Sequence, residues 1–249
     1  MGRCSVNVSG FLSCVEQTWV DLSNAVLNAR DPQVMTRLRT VTQSDLTICR
    51  MATTHIGILI NSAVSYLESN ECYLNIGVWQ GYSFFSGVVG NPEKLCIGND
   101  NFSLFSGRTG FSGEPDALGR DFGDTRAIFY REYARVKSKQ KAFFEGDYRD
   151  LLRDWHHRFG FQIGFYFYDG DHSYTAQIDA LNMAAEYLSP HCVVLVDDTN
   201  IEDVVQANLD FLTHHRDFKL AFDLPTPANR FPTWWNGIQV LVREGEDAV

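Results

Sequence analysis

Five short clusters of glycine or acidic residues recur along the chain, each at the end of an apolar run. They are Gly77-Val-Trp-Gln-Gly81, Asp100, Glu145-Gly-Asp147, Asp169-Gly-Asp171-His172 and Asp197-Asp198. A glycine turn after a strand lets the backbone approach a ligand closely. Its spacing here differs from the Gly-x-Gly-x-x-Gly turn that cradles dinucleotides. A carboxylate placed like Asp100 can accept both hydroxyls of a ribose, although an Asx turn uses the same residue type. One such cluster is weak evidence of a site, because loops are rich in these residues. Five at successive strand ends are hard to assign to loop composition alone.

The elements that must position these clusters alternate. Apolar runs predict strands at Tyr73–Gly77, Leu95–Gly98, Ala142–Phe144, Gly164–Tyr168 and Cys192–Val196, with two more near Phe218–Phe222 and Ile238–Val242. Helical spacing predicts helices over Met51–Leu67, Gly81–Val89, Asp124–Val136, Tyr148–Arg158 and Tyr174–Leu188. Thr199-x-x-Glu202 has the form of a capping box for a further helix. Ser13–Arg50 reads as helical with a break at Asp31-Pro32, so residues 1–50 form an N-terminal extension to a domain over 51–249. Residues 101–123 form a long glycine-bearing loop, a kind that is usually functional or disordered. Unalternating strands separated by helices imply a mostly parallel sheet covered on both faces, with ligands outside the strands' carboxyl ends.

The bulk properties narrow the partners. The 249 residues suffice to bury a core without disulfide or structural metal. A formal net charge of -10, with no Lys/Arg run, argues against nucleic acid and leaves a small molecule as the expected partner. Cys4, Cys14, Cys49, Cys72, Cys96 and Cys192 show no Cys-x-x-Cys spacing, which argues against zinc and for reduced thiols in the cytoplasm. No signal peptide is expected. The most apolar segment, Ile56 to Val64, falls far short of the ~20 residues of a membrane span, so no membrane contact is expected. The N-terminal helices are candidates for a homo-oligomer contact.

The run Tyr73-Leu-Asn-Ile-Gly-Val-Trp-Gln-Gly81 resembles the first motif of class I S-adenosylmethionine (SAM)-dependent methyltransferases, and Asp100-Asn-Phe-Ser103 resembles their acidic second motif. Tyr168-Asp-Gly-Asp-His-Ser-Tyr174, with Val196-Asp-Asp198, resembles a branch that includes metal-dependent O-methyltransferases of macrolide and aminocoumarin sugars. The resemblance spans about residues 70–243. It implies a Rossmann-like, doubly wound α/β sheet, mostly parallel with an antiparallel last strand, preceded by N-terminal helices. It further implies that Asn75, Gly77, Gly81, Asp100, Gly146, Asp147 and Asp169 border SAM. By the same resemblance Asp169, Asp197 and Asp198 hold a metal, and Asp171 is the general base with His172 beside it. The family usually carries glutamate where this chain has Asn75, and an amide keeps the acceptor but loses the charge.

Physical chemistry supports the metal independently. Three carboxylates at adjoining strand ends repel one another unless a cation or protons intervene. Oxygen donors suit a hard cation such as Mg²⁺, which makes a bound hydroxyl more acidic. Asp171 or His172 can then take the proton. The competing explanation is helix capping by Asp197, Asp198 and Thr199. His156-His157 and His214-His215 read as surface pairs, since helix neighbours do not share a face. Of Trp234 and Trp235, one is expected to wall a pocket and the other to pack in the core. The expected activity is metal-assisted O-methylation of a small hydroxylated substrate, such as a sugar. The rivals are a metal-independent methyltransferase, a SAM-binding domain without catalysis and, distantly, a nicotinamide-dependent oxidoreductase.

Overall fold

Segments such as Phe165-Tyr-Phe-Tyr168 are apolar at every position, so both faces of the strands they form require cover. The structure, a computed structural model describing residues 7–13, 48–103 and 123–245, supplies that cover with helices on two sides. In chain order the elements are α1 (Thr54–Ser65), β1 (Glu71–Ile76), α2 (Tyr82–Val88), β2 (Leu95–Asp100), α3 (Thr125–Val136), β3 (Lys141–Glu145) and α4 (Tyr148–Arg153). There follow α5 (Trp155–Arg158), β4 (Gln162–Tyr168), α6 (Tyr174–Ala185), β5 (Leu188–Val196), α7 (Glu202–His214), β6 (Phe218–Leu224) and β7 (Ile238–Glu244).

The seven strands form one sheet in the order β3-β2-β1-β4-β5-β7-β6. The first five strands pair in parallel, and β7 lies antiparallel to both β5 and β6. The expected doubly wound sheet with an antiparallel last strand is therefore present. The winding reverses between β1 and β4, the point where such sheets open a crevice.

Alternation along each strand divides the core in two. Tyr73, Phe165, Phe167, Val193, Val240 and Val242 face α1 and α2, where Ile56, Ile60, Val64, Phe84 and Phe85 complete one apolar cluster. Leu74, Ile76, Tyr166, Tyr168, Val194 and Leu241 face the other side, against Leu151, Leu152, Leu181, Val204 and Phe211. One polar thread crosses this second side. Gln177 Nε2 donates to Asn208 Oδ1 at 2.9 Å, and Asn208 Nδ2 donates to Gln239 Oε1 at 2.7 Å. These three buried amides tie α6, α7 and β7 together.

Three local expectations are corrected. The helix expected over Tyr148–Arg158 is two helices, broken at Asp154 (φ -99°, ψ 10°), a residue type that favours caps over helix interiors. The helix expected to reach Leu188 ends at Ala185, because Leu188 pairs with Ile163 and opens β5 four residues earlier than Cys192. The capping box at Thr199 is absent. The N-cap of α7 is Ile201, and the Thr199 backbone N–H donates instead to Gly237 O at 3.2 Å. The side chains of Asp197 and Asp198 likewise cap no N–H group of α7.

Residues 8–13 are helical, and Val8 and Phe11 pack into the first cluster. Most of the expected Ser13–Arg50 helices and of the 101–123 loop lie outside the described residues, as do Cys4 and Cys14. Cys49, Cys72, Cys96 and Cys192 are free thiols. Among the described residues no helix is long and apolar enough to cross a membrane.

Candidate functional site

The carboxyl ends of β1 to β5 surround a cavity of about 570 Å³. Backbone pairing extends beyond the strands and fixes its floor. Gly77 N–H donates to Asn99 O at 2.9 Å, and Asp169 N–H donates to Ile76 O at 3.0 Å. Gly77 has φ +81°, and a Cβ there would fall 1.8 Å from the Asp169 carbonyl oxygen. Only glycine fits between these two strand ends. Asp100 closes this side: its Oδ2 accepts Trp79 N–H at 2.8 Å and its Oδ1 accepts Phe102 N–H at 2.7 Å. Burial raises the Asp100 pKa against the lowering effect of these donors. Each carboxylate oxygen keeps a lone pair to accept from a hydroxyl, so the pair of acceptors fits the two hydroxyls of a ribose. Asp147 also lines the cavity and caps α4 by accepting Arg149 N–H at 2.8 Å.

The acidic side lies where β4 and β5 end. Asp169, His172 and Asp198 each offer one ligand atom, and all three atoms lie within 4.8 Å of one another. His172 Nε2 is 3.1 Å from Asp198 Oδ2 and 3.6 Å from Asp169 Oδ1. The first contact is poorly aligned for a hydrogen bond and the second is long, so the nitrogen is held between the two carboxylates mainly by charge. An imidazole nitrogen and two carboxylate oxygens this close together form a donor set that a shared cation fits. Burial raises the Asp169 pKa to about 6, with the Asp198 charge adding to it. Burial works against a charged His172, but the neighbouring carboxylates outweigh it and raise its pKa.

Asp197 stands behind this group. It is 3% exposed, and its Oδ1 accepts Asp198 N–H at 2.9 Å. Burial, then the charges of Asp169 and Asp198, push its pKa well up. Asp171 differs: Ser173 N–H donates to its Oδ1 at 2.8 Å, and that bond holds its pKa below the usual value.

The loop before β7 forms the outer wall. Asn236 Nδ2 donates to Asp198 Oδ1 at 2.5 Å, and Asn236 Oδ1 accepts Arg230 N–H at 2.8 Å. Asn200 Nδ2 donates to Thr226 Oγ1 at 2.9 Å and to Asn229 Oδ1 at 3.1 Å. Trp235 is half-buried and lines the cavity, whereas Trp234 is fully buried in the core. Among the described residues five non-glycine positions adopt positive φ: Trp79, Phe102, Asp198, Arg230 and Trp235. Four of them line this cavity, and Phe102 sits between lining residues Asn101 and Ser103. Such strain costs about 1–3 kcal/mol per residue and gathers where a site requires it.

The structure thus brings Gly77, Asp100, Gly146, Asp147, Asp169, Asp171, His172 and Asp198 to one cavity. It does not bring Asn75, Gly81 or Asp197 to the lining. Asn75 is fully buried, and Gly81 is the N-cap of α2. Asn236, in the loop that follows the paired tryptophans, lines the cavity, and Trp79, Tyr148, Arg149, Asn229 and Arg230 line it without having been singled out. Trp79 lies inside the glycine motif and carried that signal. The others are ordinary polar or aromatic loop and helix residues that nothing in sequence marks.

Comparison with known proteins agrees with this arrangement. A family model described as a methyltransferase domain matches residues 74–199, half of the chain. No curated protein matches the sequence. Among solved structures, the O-methyltransferase from Bacillus cereus in complex with SAH is 15% identical, with a TM-score of 0.58 over 92% of this chain and 100% of that one. Cofactor-bound Rv0187 from MTB is 14% identical, with a TM-score of 0.57 over 92% and 96%. TomG from Streptomyces achromogenes, an O-methyltransferase of tomaymycin synthesis in complex with SAM, is 15% identical, with a TM-score of 0.54 over 91% and 96%. At such identities the likeness establishes the fold, while the family match rests on the segment that carries the glycine turn, Asp100 and the strand-end acids. The chain accordingly belongs to the methyltransferase-domain family and has the class I methyltransferase fold.

Proposed function

We propose that this protein is a SAM-dependent O-methyltransferase acting on a small hydroxylated molecule, assisted by a divalent cation held by Asp169, His172 and Asp198. The observation that carries the reading is the convergence of those three donors in the cavity that Gly77 and Asp100 bound. When bound, SAM supplies an electrophilic methyl group and the cation supplies charge that acidifies a hydroxyl.

The chain's own residues do the rest. Gly77 gives the cofactor backbone contact, Asp100 accepts its ribose hydroxyls, and Gly146 with Asp147 flanks its base. Asp171 takes the substrate hydroxyl proton on the oxygen not committed to Ser173, a task open to a weak base once the hydroxyl is acidified. Trp235 and the loop before β7 confine the substrate, and alignment of the two reactants supplies much of the rate. Asp197 supports the group from behind through the Asp198 backbone.

One observation favours a second reading. His172 between Asp169 and Asp198 is also the arrangement of a carboxylate-oriented imidazole base, which works without metal. The deciding experiment is binding of S-adenosylhomocysteine (SAH), the demethylated product, followed by turnover with and without chelator. Tight SAH binding with chelator-sensitive turnover supports the first reading. Chelator-insensitive turnover supports the second, and no SAH binding overturns both.

A further inference from the structure

Arg149 and Arg230 both line the cavity, and they differ in one respect. Arg149 is neutralised: it pairs with Asp179 at 3.1 Å and Asp147 at 3.8 Å, and it stacks on the Tyr148 ring at 4.6 Å. The Arg230 guanidinium is exposed and forms no ion pair or ring contact among the described residues.

Arg230 is nevertheless not a loose surface residue. Its backbone has φ 62°, held there by the bond from its N–H to Asn236 Oδ1. Asn236 in turn donates to Asp198, so two hydrogen bonds connect the Arg230 backbone to the candidate cation group. Its neighbour Asn229 has its side-chain oxygen engaged by Asn200, which leaves its Nδ2 as a donor. This stretch of wall therefore presents a cation and an amide donor for which the described residues supply no hydrogen-bond or ion-pair partner. Trp235, from the same loop, adds a flat apolar surface.

We propose that Arg230 and Asn229 recognise a carboxylate on the substrate, so that the molecule methylated is a hydroxylated ring acid. This rests on the methyltransferase reading above and adds the substrate class to it. Arg is suited to the role because its fork matches a carboxylate with two parallel hydrogen bonds.

The test uses two pairs of probes, each an acid and its neutral amide: protocatechuate with its amide, and glucuronate with glucuronamide. Affinities are measured by calorimetry on the full chain saturated with SAH. In the unaltered protein at least one acid should bind about tenfold tighter than its amide, the effect of one charge-assisted hydrogen-bonded pair. Arg230→Gln should abolish the preference, Arg230→Lys should keep part of it, and both variants should bind SAH normally, which also shows that they fold. Equal affinity for acid and amide overturns the proposal. So does a preference that survives Arg230→Gln, or failure of all four probes to bind while SAH binds. Failure of SAH itself to bind overturns the methyltransferase reading instead.

Discussion

Ser83 Oγ donates to Asn75 Oδ1 at 2.8 Å, joining the end of β1 to the second residue of α2 beneath the glycine turn. Asn75 Nδ2 faces the carbonyls of Ile76 and Gly77 at 3.3 and 3.5 Å. The amide that replaces the family's usual glutamate is thus satisfied by its own surroundings, and it has no free donor to lend a longer side chain. Asn75→Glu should lower stability by about 1–3 kcal/mol, since it buries a carboxylate against carbonyl oxygens. Thermal unfolding should show a loss of several degrees, and SAH affinity should not improve. Tighter SAH binding in the glutamate variant would show that Asn75 is a weakened cofactor contact.

Asp100 anchors two loops with one carboxylate. Asp100→Asn keeps one oxygen acceptor but sets an NH₂ group against a backbone N–H. SAH affinity should fall about 10- to 100-fold, the equivalent of roughly 1.5–3 kcal/mol for lost charge-assisted bonds. Calorimetry with SAH checks this, and unchanged affinity would make Asp100 purely a turn residue.

The candidate cation group contains an imidazole nitrogen beside two carboxylates, not oxygens alone. That donor set favours a transition metal over Mg²⁺. Mn²⁺ should therefore bind about tenfold tighter than Mg²⁺ or better. His172→Gln and Asp198→Asn should each abolish most of that affinity. Asn236→Ala, which removes only the bond behind Asp198, should cost about tenfold. Metal titration by calorimetry separates these cases, and equal affinity of His172→Gln and the unaltered protein for Mn²⁺ would remove His172 from the set.

Asn208 links Gln177 to Gln239 inside the second apolar cluster. Asn208→Ala leaves two buried amides without their partner, at about 3 kcal/mol in total. The midpoint of thermal unfolding should drop by roughly 6–12 °C, while SAH affinity stays the same. A loss of less than about 1 kcal/mol would mean that water replaces the missing amide.

Much of this was legible in sequence because it depends on local pattern. Unbroken apolar runs gave the parallel strands, and glycine followed by a strand-end aspartate marked Gly77 and Asp100. What sequence did not reveal depends on long-range placement. Thr199 has the right spacing for a capping box, yet the chain around Gly237, far along in sequence, claims its backbone first. Asp197 and Asp198 are adjacent and chemically alike, but left-handed backbone at Asp198 sends only that one into the cavity. Arg230 looked like any loop arginine, because its tie to Asp198 runs through a side chain six residues later.

The positive-φ residues around the cavity carry a consequence for engineering. Glycine adopts that backbone without strain, and at exposed Arg230 it would sacrifice no packing. A library of variants screened only for heat resistance should therefore drift toward glycine at this position and lose the guanidinium on the way. Such a screen would discard the substrate contact proposed for Arg230 without registering the loss.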